Sequence, residues 1–126
     1  MKKIISTSEA PKAIATYSQA VEVNGILYIS GQIAIDPGTE KLVEGGIEEQ
    51  THRVMKNIGA ILNAAGYDYK DVVKTTCLLS DMANYGTMNN IYGSYFPENP
   101  PARAAFGANG LPMGALVEIE TIAFRL

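Results

Sequence analysis

The segment NPPARAAFGANGLPMGALVEIETIAF, residues 99–124, carries a single cation, Arg103, among prolines, alanines and a phenylalanine. A guanidinium is seldom buried without a partner, because taking an unpaired charge out of water costs several kcal/mol or more. Two kinds of partner are open to it: a carboxylate of the protein, Glu118 or Glu120 of the same segment, or a carboxylate that arrives as a ligand. If residues 107–114 form the loop of an antiparallel hairpin, Arg103 stands opposite Glu118, with Cβ atoms about 5 Å apart. A shorter turn at residues 111–114 places Arg103 opposite Ile122 instead. The shift between these registers is an even number of residues, so both put Arg103, Ala105, Glu118 and Glu120 on one face. An ion pair closing a hairpin and a ligand site built on the same residues are equally consistent with this pattern.

The other reactive residue types narrow the chemistry. His52 is the sole histidine and Cys77 the sole cysteine. At about 100° per residue, His52 points about 140° away from the apolar stripe of its helix, where a side chain is solvated. That removes a Ser-His-Asp arrangement and a His-based metal site. Cys77, in VVKTTCLLS, reads as a packed strand residue with only Lys74 nearby to favour a thiolate, and a lone cysteine excludes an internal disulfide. No glycine-rich phosphate loop follows a strand, since SGQIA lies within one and GANGLPMG connects two. Acid–base work is left to carboxylates, a tyrosine, backbone groups or water, and neither a metal nor an organic cofactor is expected.

The elements that must position these groups punctuate clearly. YSQAVEVNGILYISGQIAI, residues 17–35, has Asn24-Gly25 between two β-rich runs, a hairpin signal, and it stops at the turn DPGT. From Gly46 the period becomes helical, with Ile47, Val54, Ile58, Ile61, Leu62 and Ala65 on one face and Gly66 as the C-terminal stop. Val72–Leu79 reads as a strand. Asp81 can cap a second helix whose inward face is Tyr85, Met88, Tyr92 and Tyr95 or Phe96, ended by Pro97. Strands over Ala102–Phe106 and Leu116–Phe124 close the chain. Six strands and two helices predict an α+β fold with both helices on one face of the sheet. ILYISGQIAI and VVKTTCLLS are apolar at odd and even positions alike, so the second face also needs a cover, and a homo-oligomer is expected to supply it.

With 126 residues, 47% of them apolar, the chain reads as one globular domain over residues 1–126. Ten basic residues against thirteen acidic ones, a net charge of −3, argue against a nucleic-acid partner. MKKIISTSEAPKAIA has two lysines but no long apolar run behind them. Neither a signal peptide nor a membrane anchor is expected, and the expected compartment is the cytoplasm.

Several stretches together resemble the RidA/YjgF family of small enamine/imine deaminases: YSQAV at Tyr17, YISGQIAIDP at Tyr28, NIGAILNAAG at Asn57, VVKTTCLLSDM at Val72, MNNIYGSYF at Met88, PPARAAF at Pro100 and VEIETIA at Val117. The resemblance runs nearly end to end. It implies a chorismate-mutase-like fold, a homotrimer and clefts between subunits. It also implies that Arg103 grips a substrate carboxylate, that Glu118 serves the hydrolytic water, that Tyr17 and Asn89 are polar residues of the cleft, and that Gly31 lines it. Ala105 stands where many members have cysteine, and Thr16 where many have proline. The family mechanism needs the backbone at position 105, so alanine is compatible with it. The implied reaction is cofactor-independent hydrolysis of 2-aminoacrylate, 2-iminopropanoate and related 2-imino acids to 2-ketoacids and ammonia. A non-catalytic regulator that senses small carboxylates in the same cleft is the alternative; an RNA-cleaving role is opposed by the acidic balance and the solvated His52.

Overall fold

The computed structural model describes residues 1–125. In chain order the elements are β1 (Lys3–Ile5), β2 (Ala20–Val23), β3 (Ile26–Gln32), β4 (Ile35–Asp36), β5 (Lys41–Leu42), α1 (Ile47–Ala64), β6 (Val72–Leu79), α2 (Tyr85–Ser94), β7 (Ala102–Gly107) and β8 (Val117–Phe124). Local chemistry accounts for most of their limits. Asn24 and Gly25 both hold positive φ, 50° and 77°, as a two-residue hairpin turn between β2 and β3 requires. Gly66, at φ 82°, ends α1. The amides of Gly66 and Tyr67 donate back to the carbonyls of Asn63 and Leu62 at 3.0 and 2.8 Å, the paired bonds that satisfy a helix C-terminus. Asp81 accepts from the Ala83 amide at 2.9 Å and opens a short 3₁₀ turn, Met82–Asn84, that leads into α2.

Six strands form one sheet in the order β1-β2-β3-β8-β6-β7, while β4 and β5 make a separate small hairpin. All neighbours in the sheet are antiparallel except β6 and β7, which run parallel. This corrects the hairpin expected for the last two strands. β7 returns from α2 to lie beside β6 at the edge, as parallel neighbours joined by a crossover helix do. The connection to β8 then passes the end of β6, where Ala108 donates to the Leu79 carbonyl and Ser80 to that of Leu116. Arg103 therefore pairs with Thr75, not with Glu118 or Ile122, and Glu118 pairs with Leu78.

The shared face expected for Arg103, Ala105, Glu118 and Glu120 fails with that hairpin. One lateral row of the sheet reads Arg103, Thr75, Thr121, Ile29, and Thr75, Thr121 and Ile29 are buried beneath the helices. Another reads Phe106, Leu78, Glu118 on the uncovered side, displaced by an odd number of residues along each strand. Arg103 and Ala105 belong to the helix side; Glu118 and Glu120 belong to the open side.

Val54, Met55, Ile58, Ile61 and Leu62 of α1 and Met88 and Tyr92 of α2 share one core with Leu27, Ile29, Cys77, Leu79, Val117 and Ile119 of the sheet. Each fully buried leucine or isoleucine there contributes about 1.5–3 kcal/mol. Both helices thus cover one face, as the sequence pattern requires. On the other face Ile4, Tyr28, Phe106 and Phe124 remain between 42% and 52% exposed, large apolar side chains left without a cover on one side of the sheet.

Candidate functional site

Arg103 is half-buried on the edge strand β7, under one face of α2. Its Nη1 donates to Asn89 Oδ1 at 2.8 Å and its Nη2 to the Tyr85 hydroxyl at 2.5 Å. The guanidinium carbon lies 5.0 Å from the centre of the Tyr92 ring and 5.5 Å from that of Tyr85, within cation–π range. Tyr85, Asn89 and Tyr92 recur at i, i+4 and i+7, so one stripe of α2 holds the arginine. Tyr92 is itself fixed from below by a 2.7 Å hydrogen bond with Thr75 Oγ1, and burial raises the pKa of its hydroxyl. Every protein group on Arg103 is neutral; no carboxylate pairs with it among the described residues, where Lys12–Glu40 is the one ion pair.

Ala105 lies beside Cys77 in the register and packs against the core. A methyl group suits that place, and what β7 offers outward is its edge backbone. Cys77 is fully buried, with a thiol pushed up to about 11 by desolvation; it is a packing residue, as its strand setting suggests. His52 is exposed and its Nδ1 lies 2.8 Å from the Tyr95 hydroxyl, clear of both Arg103 and Glu118 in the hydrogen-bond network.

Glu118 stands on the opposite face. A bulge in β3 sets Ser30 and Gly31 against one residue of β8, between the pairs Ile29–Thr121 and Gln32–Ile119. It brings the Gly31 backbone against the Glu118 carboxylate, closely enough that a Cβ on Gly31 would overlap Glu118 Oε2 and sit 2.9 Å from its carboxyl carbon. Burial, and then the neighbouring Glu120 charge, raise the Glu118 pKa above the ordinary carboxylate value. No hydrogen bond from a described residue offsets that rise.

Glu118, Gly31 and Tyr17 line one cleft of about 1030 Å³, walled by residues 4–8 and 10–14, by Ile33 and Ile35, and by Met113. Buried Gln19 fixes the wall: it accepts from the Thr7 amide at 2.7 Å and donates to the carbonyls of Thr7, Ala10 and Pro11. Asn57 of α1 donates to the carbonyls of Ile33 and Ile35. The six residues singled out in the sequence thus form two groups within one chain, Tyr17, Gly31 and Glu118 in the cleft and Arg103, Asn89 and Ala105 at the β7 edge. Tyr85 and Tyr92 were legible only as apolar positions of a helix face; their spacing from Asn89 is the signal that could have tied them to Arg103. Among the described residues no group of three or more His, Cys, Asp or Glu side chains is placed to hold a metal ion, and no helix is long and apolar enough to cross a membrane.

The sequence model of the RidA/YjgF family, described as endoribonuclease L-PSP, matches residues 7–125, and the chain belongs to that family. Among individual relatives, the mouse protein named 2-iminobutanoate/2-iminopropanoate deaminase is 53% identical over 125 residues, covering 99% of this chain and 93% of that one. The crystal structure of YyfA, of the conserved Rid protein family, from Yersinia pestis superposes with a TM-score of 0.97 at 49% identity, covering 99% of this chain and 100% of the other. The structure of Escherichia coli TdcF with bound serine gives a TM-score of 0.94 at 33% identity, covering 98% and 99%.

Proposed function

We propose that the protein is an enamine/imine deaminase that hydrolyses 2-iminopropanoate, 2-iminobutanoate and related 2-imino acids to 2-ketoacids and ammonia. The observation that carries this reading is the setting of Arg103. Arg103 is half-buried, oriented by Asn89 and Tyr85, and has no carboxylate partner among the described residues, which leaves its charge for a carboxylate ligand. The names of the mouse relative and of serine-bound TdcF point to the same ligand class, an α-amino or α-imino carboxylate.

Arg103 and Glu118 lie on opposite faces of one sheet, so a complete site calls for a second copy. The cleft of one subunit, with Glu118, Gly31 and Tyr17, is completed by the β7 edge of a neighbour, with Arg103, Asn89 and the backbone at Ala105. A homotrimer closes three such clefts and covers Ile4, Tyr28, Phe106 and Phe124. The substrate carboxylate then accepts two hydrogen bonds from Arg103, and Tyr17 and Asn89 orient its polar atoms. One water beside Glu118 attacks the carbon of the C=N bond. Glu118 takes a proton from that water and passes it to the nitrogen, giving a carbinolamine; it then carries the hydroxyl proton to the same nitrogen as the C–N bond breaks, so the oxygen becomes the ketone and ammonia leaves. Nothing covalent forms on the protein, so holding the reactants and excluding bulk water suffices.

Ammonia release from freshly generated 2-aminoacrylate tests the reaction. We expect catalysis well above the spontaneous rate, and Arg103→Ala to weaken 2-ketoacid binding by about thirty-fold to several thousand-fold without unfolding the protein. Binding of 2-ketoacid without acceleration would favour a ligand-sensing regulator instead. Sedimentation equilibrium is expected to give three times the 13.5 kDa chain mass; a monomer at micromolar concentration would leave the site incomplete and sink the mechanism. A nucleolytic role, suggested by the description of the family model, finds little support in a net charge of −3 and an exposed histidine bonded to a tyrosine.

A further inference from the structure

Arg103 is useful as a carboxylate clamp only if its plane is fixed before the ligand arrives, since an arginine free to rotate must be ordered at the cost of affinity. Its guanidinium carries five N–H groups, two of which have protein partners. One on Nη1 is taken by Asn89 Oδ1 and one on Nη2 by the Tyr85 hydroxyl. These two bonds tie both ends of the guanidinium to helix α2, four residues apart, and the Tyr92 ring sits 5.0 Å from its carbon. The two bonds also fix the polarity of their acceptors. Asn89, with its oxygen engaged, presents its NH₂, and Tyr85, with a lone pair engaged, keeps its own proton to give. Guanidinium, amide and hydroxyl thus make a wall with donors to spare, suited to an anion and hostile to a cation.

We propose that Tyr85 is a positioning residue for this clamp: its hydroxyl, not its ring, sets the plane of Arg103 and so the affinity and carboxylate selectivity of the site. The inference rests on the reading of Arg103 as the substrate-carboxylate anchor. It assigns a role to a half-buried helix residue that binary patterning marks only as apolar. Asn89 alone leaves the guanidinium free to pivot about the Nη1 bond; the Tyr85 bond removes that pivot.

Tyr85→Phe keeps the ring and its 5.5 Å approach to Arg103 and deletes only the hydroxyl. A hydrogen bond to a charged group at a half-buried site corresponds to about a ten-fold effect. KM for the imino acid and the Kd of a 2-ketoacid, measured by titration calorimetry, should therefore each rise about ten-fold, with kcat falling by less and the melting temperature unchanged. A merely structural tyrosine would move the melting temperature and not the KM-to-kcat balance. The same change in an Arg103→Lys background should alter KM by less than about two-fold, because the fork it orients is gone. Unchanged KM and Kd in Tyr85→Phe, or an undiminished effect in Arg103→Lys, would overturn the assignment. If Arg103→Ala abolishes 2-ketoacid binding while Tyr85→Phe leaves it intact, this inference fails and the anchor stands; if Arg103→Ala binds normally, both fail.

Discussion

Gly31→Ala tests the catalytic geometry at the point where the β3 backbone meets the Glu118 carboxylate. Gly31 does not hold a positive φ, so alanine is compatible with its backbone and strain there is not at issue. The added methyl would meet the Glu118 side chain, overlapping Oε2 and standing 2.9 Å from the carboxyl carbon and 3.2 Å from Cγ. Carbon atoms pack at about 3.5–4.0 Å, so the carboxylate must retreat by about 1 Å. Glu118 can do so by rotating its flexible end, which makes the stability cost small, below about 1 kcal/mol by comparison with ordinary surface changes. Catalysis is less forgiving, because a 1 Å misplacement of a reacting group costs about a hundred-fold, or about 2.7 kcal/mol in the barrier. Stopped-flow measurement of imine hydrolysis is expected to show kcat down about a hundred-fold at a nearly unchanged melting temperature. In a Glu118→Gln background the same change should cost little more, since the group it displaces is already disabled. A Gly31→Ala enzyme with kcat within about three-fold of the parent, against the hundred-fold expected of misplacement, would refute the claim that the position of Glu118 governs the rate.

The pKa of Glu118 lies above the ordinary carboxylate value through burial and then through Glu120. Because the general base must be ionised, the acid limb of kcat/KM is expected at a higher pH than an ordinary carboxylate would give, with activity rising as pH rises, and Glu120→Gln should move that limb down; a limb that ignores Glu120 would count against Glu118 as the base. For stability the sign is opposite: the folded state holds this proton more tightly than the unfolded one, so the contribution is present at low pH and lost as pH rises through the folded-state pKa. Urea titrations should therefore find Glu118→Gln at least as stable as the parent at pH 7. Cys77→Ser should retain turnover while losing about 1–3 kcal/mol of stability, the cost of placing a hydroxyl in a fully buried site, and His52→Ala should retain turnover outright; loss of activity in either folded variant would mean that the chemistry is misassigned.

Much of this protein is written locally. The Asn24-Gly25 turn, the Gly66 stop, the Asp81 cap and the limits of Val72–Leu79 depend on residues within a few positions of one another, and each stands where the sequence places it. So do the burial of Cys77, the exposure of His52 and the two helices on one face. The identity of the candidate residues was legible as well, through motifs that match a family over almost the whole chain. Short elements fell below the signal: β1 is three residues long, and the β4–β5 hairpin has two residues in each strand. Strand pairing was a different kind of failure. Period-two alternation states which residues of one strand share a face, but parity between two strands can be compared only if the strands are neighbours. Residues 102–107 and 117–124 follow one another in sequence, yet β6 lies between them, joined in parallel to β7 by the α2 crossover. That insertion puts Arg103 on the helix side and Glu118 on the open side, and it replaces a carboxylate partner with Asn89 and Tyr85. Which neighbour a strand takes is decided by long-range burial of both helices against the sheet, a sum over the whole chain that no local window contains.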